Sequence, residues 1–183
     1  MKKYMAILLA AFLLLNLAAC GCAKDNGAGD TTATTTGEDT VGSALLEDFR
    51  ANTTGTAQGI AERLLQNPVI GFMGGAVPVE EGLLTGFGEK EITGFKEGVM
   101  FAPMIGTIPF VGYIFVLSDG VNVEDFKTML KDNANLRWNV CTTADEMIVA
   151  HEGSTVFFLM SPKSFDQPAT DNTETGDIQI PVA

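Results

Sequence analysis

Apolar side chains fall along the 183 residues in unequal blocks. Residues 4–15 are almost wholly apolar. Residues 21–40, GCAKDNGAGDTTATTTGEDT, hold no aromatic and no large aliphatic residue. Residues 43–163 carry nearly all the large apolar side chains, and residues 166–179 turn polar again before a short apolar IPVA end. A segment with little to bury does not offset the entropy of ordering it. The pattern therefore predicts one domain of about 120 residues over 43–163, a stalk over 20–42 and a loose polar tail over 164–183.

Within the domain the period changes several times. Leu45, Leu46 and Phe49 support a helix over 43–50, and Ala57, Ile60, Ala61, Leu64 and Leu65 support another over 56–66. Asn67-Pro68 closes the second, because the residue before proline is driven out of the α region. Glycine punctuates residues 70–88, and short strands are expected near 91–95 and 98–104. Phe110 to Leu117 is apolar on both faces, which marks a central strand covered on both sides.

Residues 123–132 make the clearest helix. Asn122 is the N-cap, Val121 and Phe126 form a hydrophobic staple, and Val123, Phe126, Met129 and Leu130 share a stripe. Residues 136–141 read as a short extended piece. Met147–Ala150 and Thr155–Met160 read as a strand hairpin through His151-Glu152-Gly153-Ser154, with Gly153 at a positive φ and Pro162 ending the last strand. The sum predicts an α+β two-layer sandwich, a mostly antiparallel sheet with helices packed on one face and a split βαβ arrangement as one core topology.

The first block changes the picture of where the chain works. Lys2 and Lys3, a short apolar run and the small residues Leu17-Ala18-Ala19 before Cys20 have the layout of a secretory signal over residues 1–19. The run is short for a transmembrane helix. Its end resembles the lipobox of bacterial lipoproteins, which implies lipidation of Cys20, with palmitate-type chains, and a membrane anchor on the extracytoplasmic face. Without residues 1–19 nine basic and twenty-three acidic side chains remain, a formal charge of −14. Such an acidic surface argues against nucleic acid, whose phosphates need Lys and Arg, and it repels anionic lipid. Cys22 falls in the stalk, and Cys141, between apolar stretches, reads as a buried small hydrophobe.

Catalytic chemistry is thin. His151 is the lone histidine and reads as a turn residue, with Ser154 and Cys141 as its only nucleophile candidates. No clustered Cys and His point to a metal. Glu80, Glu81, Glu89, Glu91 and Glu97 read as solvated acids, and the glycines match no nucleotide-binding spacing. No catalytic residue, metal or cofactor is assigned. Residues 100–110, with two methionines and two prolines, read first as a buried bend. The alternative is a partner surface formed by Met104, Ile105 and Pro109 and rimmed by Arg137 and Trp138.

The Lys2-Lys3 start, Cys20 after Leu-Ala-Ala, GFKEGVMFAPMIGTIPFVGYIFVLSDG at 94–120, DNANLRWNVCTTADEM at 132–147 and the VFFLMSP ending carry one further likeness. The chain resembles a small, uncharacterised lipoprotein family of clostridia and related Firmicutes. The resemblance implies a single extracytoplasmic domain on a membrane and brings no catalytic residue or ligand with it. The expected function is a non-enzymatic binding or accessory module of the cell envelope, partnered by membrane lipid through Cys20 and by an envelope protein or small ligand. The alternatives are a small enzyme using Cys141 or a carboxylate pair, and a structural, self-associating envelope protein.

Overall fold

The computed structural model describes residues 39–165, Ile105 excepted. The leader, Cys20, most of the stalk and the tail beyond Phe165 lie outside the described residues. Helix α1 (Val41–Ala51) starts from a capping box in which the Thr40 hydroxyl accepts from Ser43 N–H and the Ser43 hydroxyl from Thr40 N–H. Helix α2 (Ala57–Leu64) is capped by Thr56. The chain then forms β1 (Gly74–Val79), the short pair β2 (Gly82–Leu83) and β3 (Glu91–Ile92), β4 (Phe95–Pro103) and β5 (Val111–Leu117). Helix α3 (Val123–Asn133), β6 (Glu146–Glu152) and β7 (Thr155–Ser161) complete it.

Five strands make one antiparallel sheet in the order β1-β4-β5-β7-β6, and β2 pairs with β3 in a small second sheet. Because β7 is antiparallel to both β5 and β6, those two run parallel with β7 between them. This is the split βαβ arrangement, with α3 as its crossover. The protein is the expected α+β sandwich of a mostly antiparallel sheet and packed helices.

Alternation along the central strands decides where those helices go. On β5, Ile114 and Val116 face one cluster, and Val111, Tyr113, Phe115 and Leu117 face the other. On β7, Phe157 and Leu159 join the first and Val156, Phe158 and Met160 the second. Leu45 and Phe49 of α1 and Ile60 and Leu64 of α2 cover the first face, where Phe49 stacks on Phe157 at 5.3 Å. The second face is covered by Phe126 and Leu130 of α3, by Phe87 and by Ile92 of β3. Only α1 and α2 share a face, so the sheet is covered on both sides, as a doubly apolar β5 requires. A bulge between Phe95 and Glu97 lets β4 serve both clusters: Phe95 points to the second and Phe101 to the first. Opposite Phe101 stands Gly112, and a methyl group there would fall inside the Phe101 ring.

Three carboxylates fasten helices and turns to the sheet. Glu146 accepts Gly42 N–H at 2.7 Å, the Thr40 hydroxyl at 2.9 Å and the buried Ser161 hydroxyl at 3.0 Å. Glu97 accepts Ala57 N–H at 3.0 Å. Both acids therefore sit at helix N-termini, where the dipole favours negative charge. Glu81 accepts Gly94 N–H at 2.6 Å and Phe95 N–H at 3.2 Å.

Several local expectations change. The short strands near 91–95 and 98–104 become β3 and the longer β4, which starts at Phe95. β1 forms in the glycine-rich stretch, on the sheet edge where Pro78 costs no ladder bond. Residues 136–141 are turns and bends, not an extended piece. Helix α3 buries Lys127 to 1% exposure, with its ammonium on Glu124 at 3.2 Å, a burial that the apolar stripe does not announce.

Two outcomes follow for stability. Glu146→Ala leaves Gly42 N–H and the Ser161 hydroxyl without their acceptor and is expected to cost about 3 kcal/mol. Glu146→Gln, which keeps one amide oxygen, is expected to cost less, and urea unfolding of both variants checks the order. The Tyr113 phenol donates to the Thr85 carbonyl at 2.9 Å. Burial pushes its pKa up, only partly countered by the bonds to Thr85. The fold thus favours the protonated phenol. Its contribution is intact below the unfolded value of about 10 and is lost as pH rises from there toward the folded value. Above that pH the wild-type chain should lose up to about 1.4 kcal/mol per pH unit more than Tyr113→Phe.

Candidate functional site

The sheet has two unlike ends. At one, β4 passes into β5 through residues 104–110, α3 descends into β6 through 134–145, and β7 leaves through Pro162 to Phe165. At the other lie the Gly153-Ser154 hairpin and the turn at Asp119-Gly120. Gly153 has φ 60° and is the first of two loop residues, as a type II′ turn requires.

The first end holds the described part of the expected surface. Met104 N–H donates to the Met73 carbonyl at 3.0 Å, and the Met104 side chain lies over Gly75 of β1. Phe110 N–H donates to the Ile108 carbonyl at 2.8 Å, a tight turn centred on Pro109. Phe110 is buried between Phe72, with ring centres 4.9 Å apart, and Phe101 at 5.9 Å. The buried Phe110 anchors the loop, and its preceding tip stands in solvent. Met104 is 67% exposed, Met73 79% and Val140 94%. Met104, Gly106 and Thr107 therefore stand at the surface, not in the buried bend expected first. Ile105 lies outside the described residues.

Among the described residues one bond joins the two loops: the Thr142 hydroxyl donates to the Thr107 carbonyl at 2.8 Å. Trp138 is half-buried against the second cluster, and Arg137 is exposed with no ion pair among the described residues. Met104 and Pro109 thus share an end with Arg137 and Trp138, and the Thr107–Thr142 link brings their loops together. Sequence reasoning missed Met73 and Val140, and the only signal for them was an apolar residue set among glycines or polar turn residues.

Cys141 is exposed and free, which corrects its reading as a buried hydrophobe. The turn at 139–141 faces outward and takes the thiol with Val140. His151 lies five residues beyond Glu146 on β6, roughly 16 Å along the strand, whereas Cys141 precedes that strand. The two therefore sit toward opposite ends. His151 Nδ1 is 3.7 Å from Glu124 Oε1, and no bond among the described residues joins it to Ser154. The acids are also dispersed: Glu81, Glu97 and Glu146 each hold separate backbone N–H groups. Among the described residues no three of His, Cys, Asp or Glu gather to hold a metal ion, and no helix is long and apolar enough to cross a membrane.

No family model, curated protein or solved structure matches the chain.

The geometry makes Cys141 an ordinary surface thiol. Native alkylation in a Cys22→Ser background should modify it at the rate of an unhindered cysteine, and His151→Ala should leave that rate unchanged. A fall of about tenfold on His151→Ala would reveal the coupling that the placement of the two residues opposes.

Proposed function

We propose that this chain is a lipid-anchored protein of the cell envelope, held by Cys20 on the extracytoplasmic face, whose domain serves as a non-enzymatic binding or accessory module. The observation that carries the reading is the ordered run of Lys2-Lys3, an apolar core and Leu-Ala-Ala before Cys20. Its likeness to clostridial lipoproteins supports the same reading.

The domain's chemistry is compatible with it. Three of its acids, Glu81, Glu97 and Glu146, are spent on separate backbone N–H groups, and its lone histidine and exposed thiol stand toward opposite ends of one strand. What it offers a partner is the apolar loop end around Met73, Met104 and Val140. An envelope protein or a small apolar or peptide ligand is the class of target this surface fits.

The test is expression of the full chain in a bacterium supplied with labelled palmitate. The wild-type chain should take up label, lose residues 1–19 and sediment with membranes. Cys20→Ala should lose the label. An unmodified Cys20 in the N-terminal peptide of the mature wild-type chain would overturn the anchor.

A further inference from the structure

Strand β1 leaves one edge of the five-stranded sheet open. The bond from Met104 N–H to the Met73 carbonyl fixes the phase of its ladder: Gly75, Val77 and Val79 bond β4. Gly74, Ala76 and Pro78 therefore turn their backbone polar groups to the free edge. That row has gaps. Pro78 has no N–H, and the Ala76 carbonyl already accepts from Gln58 Nε2 at 3.2 Å. What the edge still offers is the N–H and carbonyl of Gly74, the Ala76 N–H and the Pro78 carbonyl.

The two faces beside this edge are unlike. On the first, Gln58 stands at Ala76 and bonds Glu62. On the second, Val77 is 53% exposed, and a Cβ at Gly75 would meet only the Met104 side chain, at 3.6 Å. The edge thus fits an extended segment with apolar residues at every second position and no N–H opposite Ala76.

We propose that residues 178–183 of this chain, IQIPVA, add to β1 as a sixth, antiparallel strand with Pro181 opposite Ala76. In that register Gln179 N–H donates to the Pro78 carbonyl, Ala76 N–H to the Pro181 carbonyl and Ala183 N–H to the Gly74 carbonyl. The N–H that Pro181 lacks falls where Gln58 already fills the acceptor. Ile178, Ile180 and Val182 then lie on the second face, beside Val79, Val77 and Gly75. A slip of one residue would turn the same three toward Gln58 and Glu62. The pairing goes beyond the binding-module reading and needs no lipid anchor.

The path of the chain supports this occupant. Phe165 lies against Gly71 and packs on Phe72 at 5.3 Å, so the chain leaves the described domain next to the start of β1. About 13 peptide units separate Phe165 from Ile178, a span of roughly 20 Å for a flexible chain. From Gly74 to Val79 the strand runs about 17 Å, so Ile178 reaches its far end and the segment returns along it. Reach permits the pairing, and side chains choose the edge. At the opposite edge β6 exposes no large apolar side chain, and α1 and α3 both pack against it.

The register is testable by crosslinking. Val77 and Ile180 would form a non-hydrogen-bonded antiparallel pair, with Cα atoms about 4.5 Å apart, a spacing that a disulfide spans. The full chain carries Val77→Cys and Ile180→Cys, with Cys20, Cys22 and Cys141 replaced by serine. Mild oxidation should close this pair within one chain at least about tenfold faster than either of two controls. One control is Val77→Cys with Gln179→Cys, which points to the wrong face. The other is Glu152→Cys with Ile180→Cys, which tests the β6 edge. Equal rates, no closure, or a disulfide between two chains would overturn the proposal.

The chain without introduced cysteines gives an independent reading. Hydrogen exchange at the Ala76 amide should be at least about tenfold slower than in Ile180→Asp with Val182→Asp. Ile114, in the central strand, should exchange alike in both and so reports an intact fold. An Ala76 amide that exchanges at one rate in both chains would show the edge to be unpaired and overturn the sixth strand.

Discussion

Everything in this domain answers to two neighbouring strands that are apolar on both faces. β5 and β7 alternate large side chains to either side of the sheet, with Ile114 and Phe157 on one face and Phe115 and Phe158 on the other. Such strands are unstable in water unless both sides are roofed. The roofs come from different parts of the chain. The first face takes the N-terminal helices α1 and α2. The second takes α3, the small β2–β3 sheet and the loop carrying Phe87. Bulge and glycine serve the same demand. The irregularity at Phe95–Glu97 switches β4 from one roof to the other, and Gly112 leaves the space that the Phe101 ring fills.

Roofing elements so far from their strands in sequence need local fasteners, and acidic side chains supply them. Glu146 reaches the start of α1, Glu97 the start of α2, and Glu81 the turn before β4. Each carboxylate meets N–H groups that a helix start or a turn would otherwise leave unpaired. The cost is functional. Acids spread over separate backbone sites are not gathered about one cleft, so the character of the molecule is decided by its ends instead. One end is acidic and closed by tight turns. The other carries loops with exposed methionine and valine.

Features governed by neighbours along the chain were legible in the amino-acid sequence. Asn122 caps α3 by accepting from Glu124 and Asp125 N–H, Gly153 makes the hairpin, and Phe110 to Leu117 marks the centre of the sheet. Features made by distant pairing were not. β1 has glycines and a proline that look like breakers, and it becomes a strand only because β4 offers it a ladder along one edge. The link from Glu146 to Gly42 spans 104 positions and has no periodic trace. Of the expected surface, the general location of Met104, Pro109, Arg137 and Trp138 at connecting loops was readable. Exposure was not: the same apolar context that suggested a buried Cys141 surrounds a residue that the turn at 139–141 turns outward.

The bond between Val41 N–H and the Lys163 carbonyl has a further consequence. A domain whose first helix and last strand are bonded at their outer ends is close to a closed ring, so the order in which its elements are joined is nearly arbitrary. A short linker from Lys163 back to Thr40 would close that ring at little entropic cost, and an opening at Gly153-Ser154 would cut only a two-residue turn. The same proximity makes the domain a unit that can be carried within a surface loop of another protein, since it asks its host for two attachment points that already lie side by side.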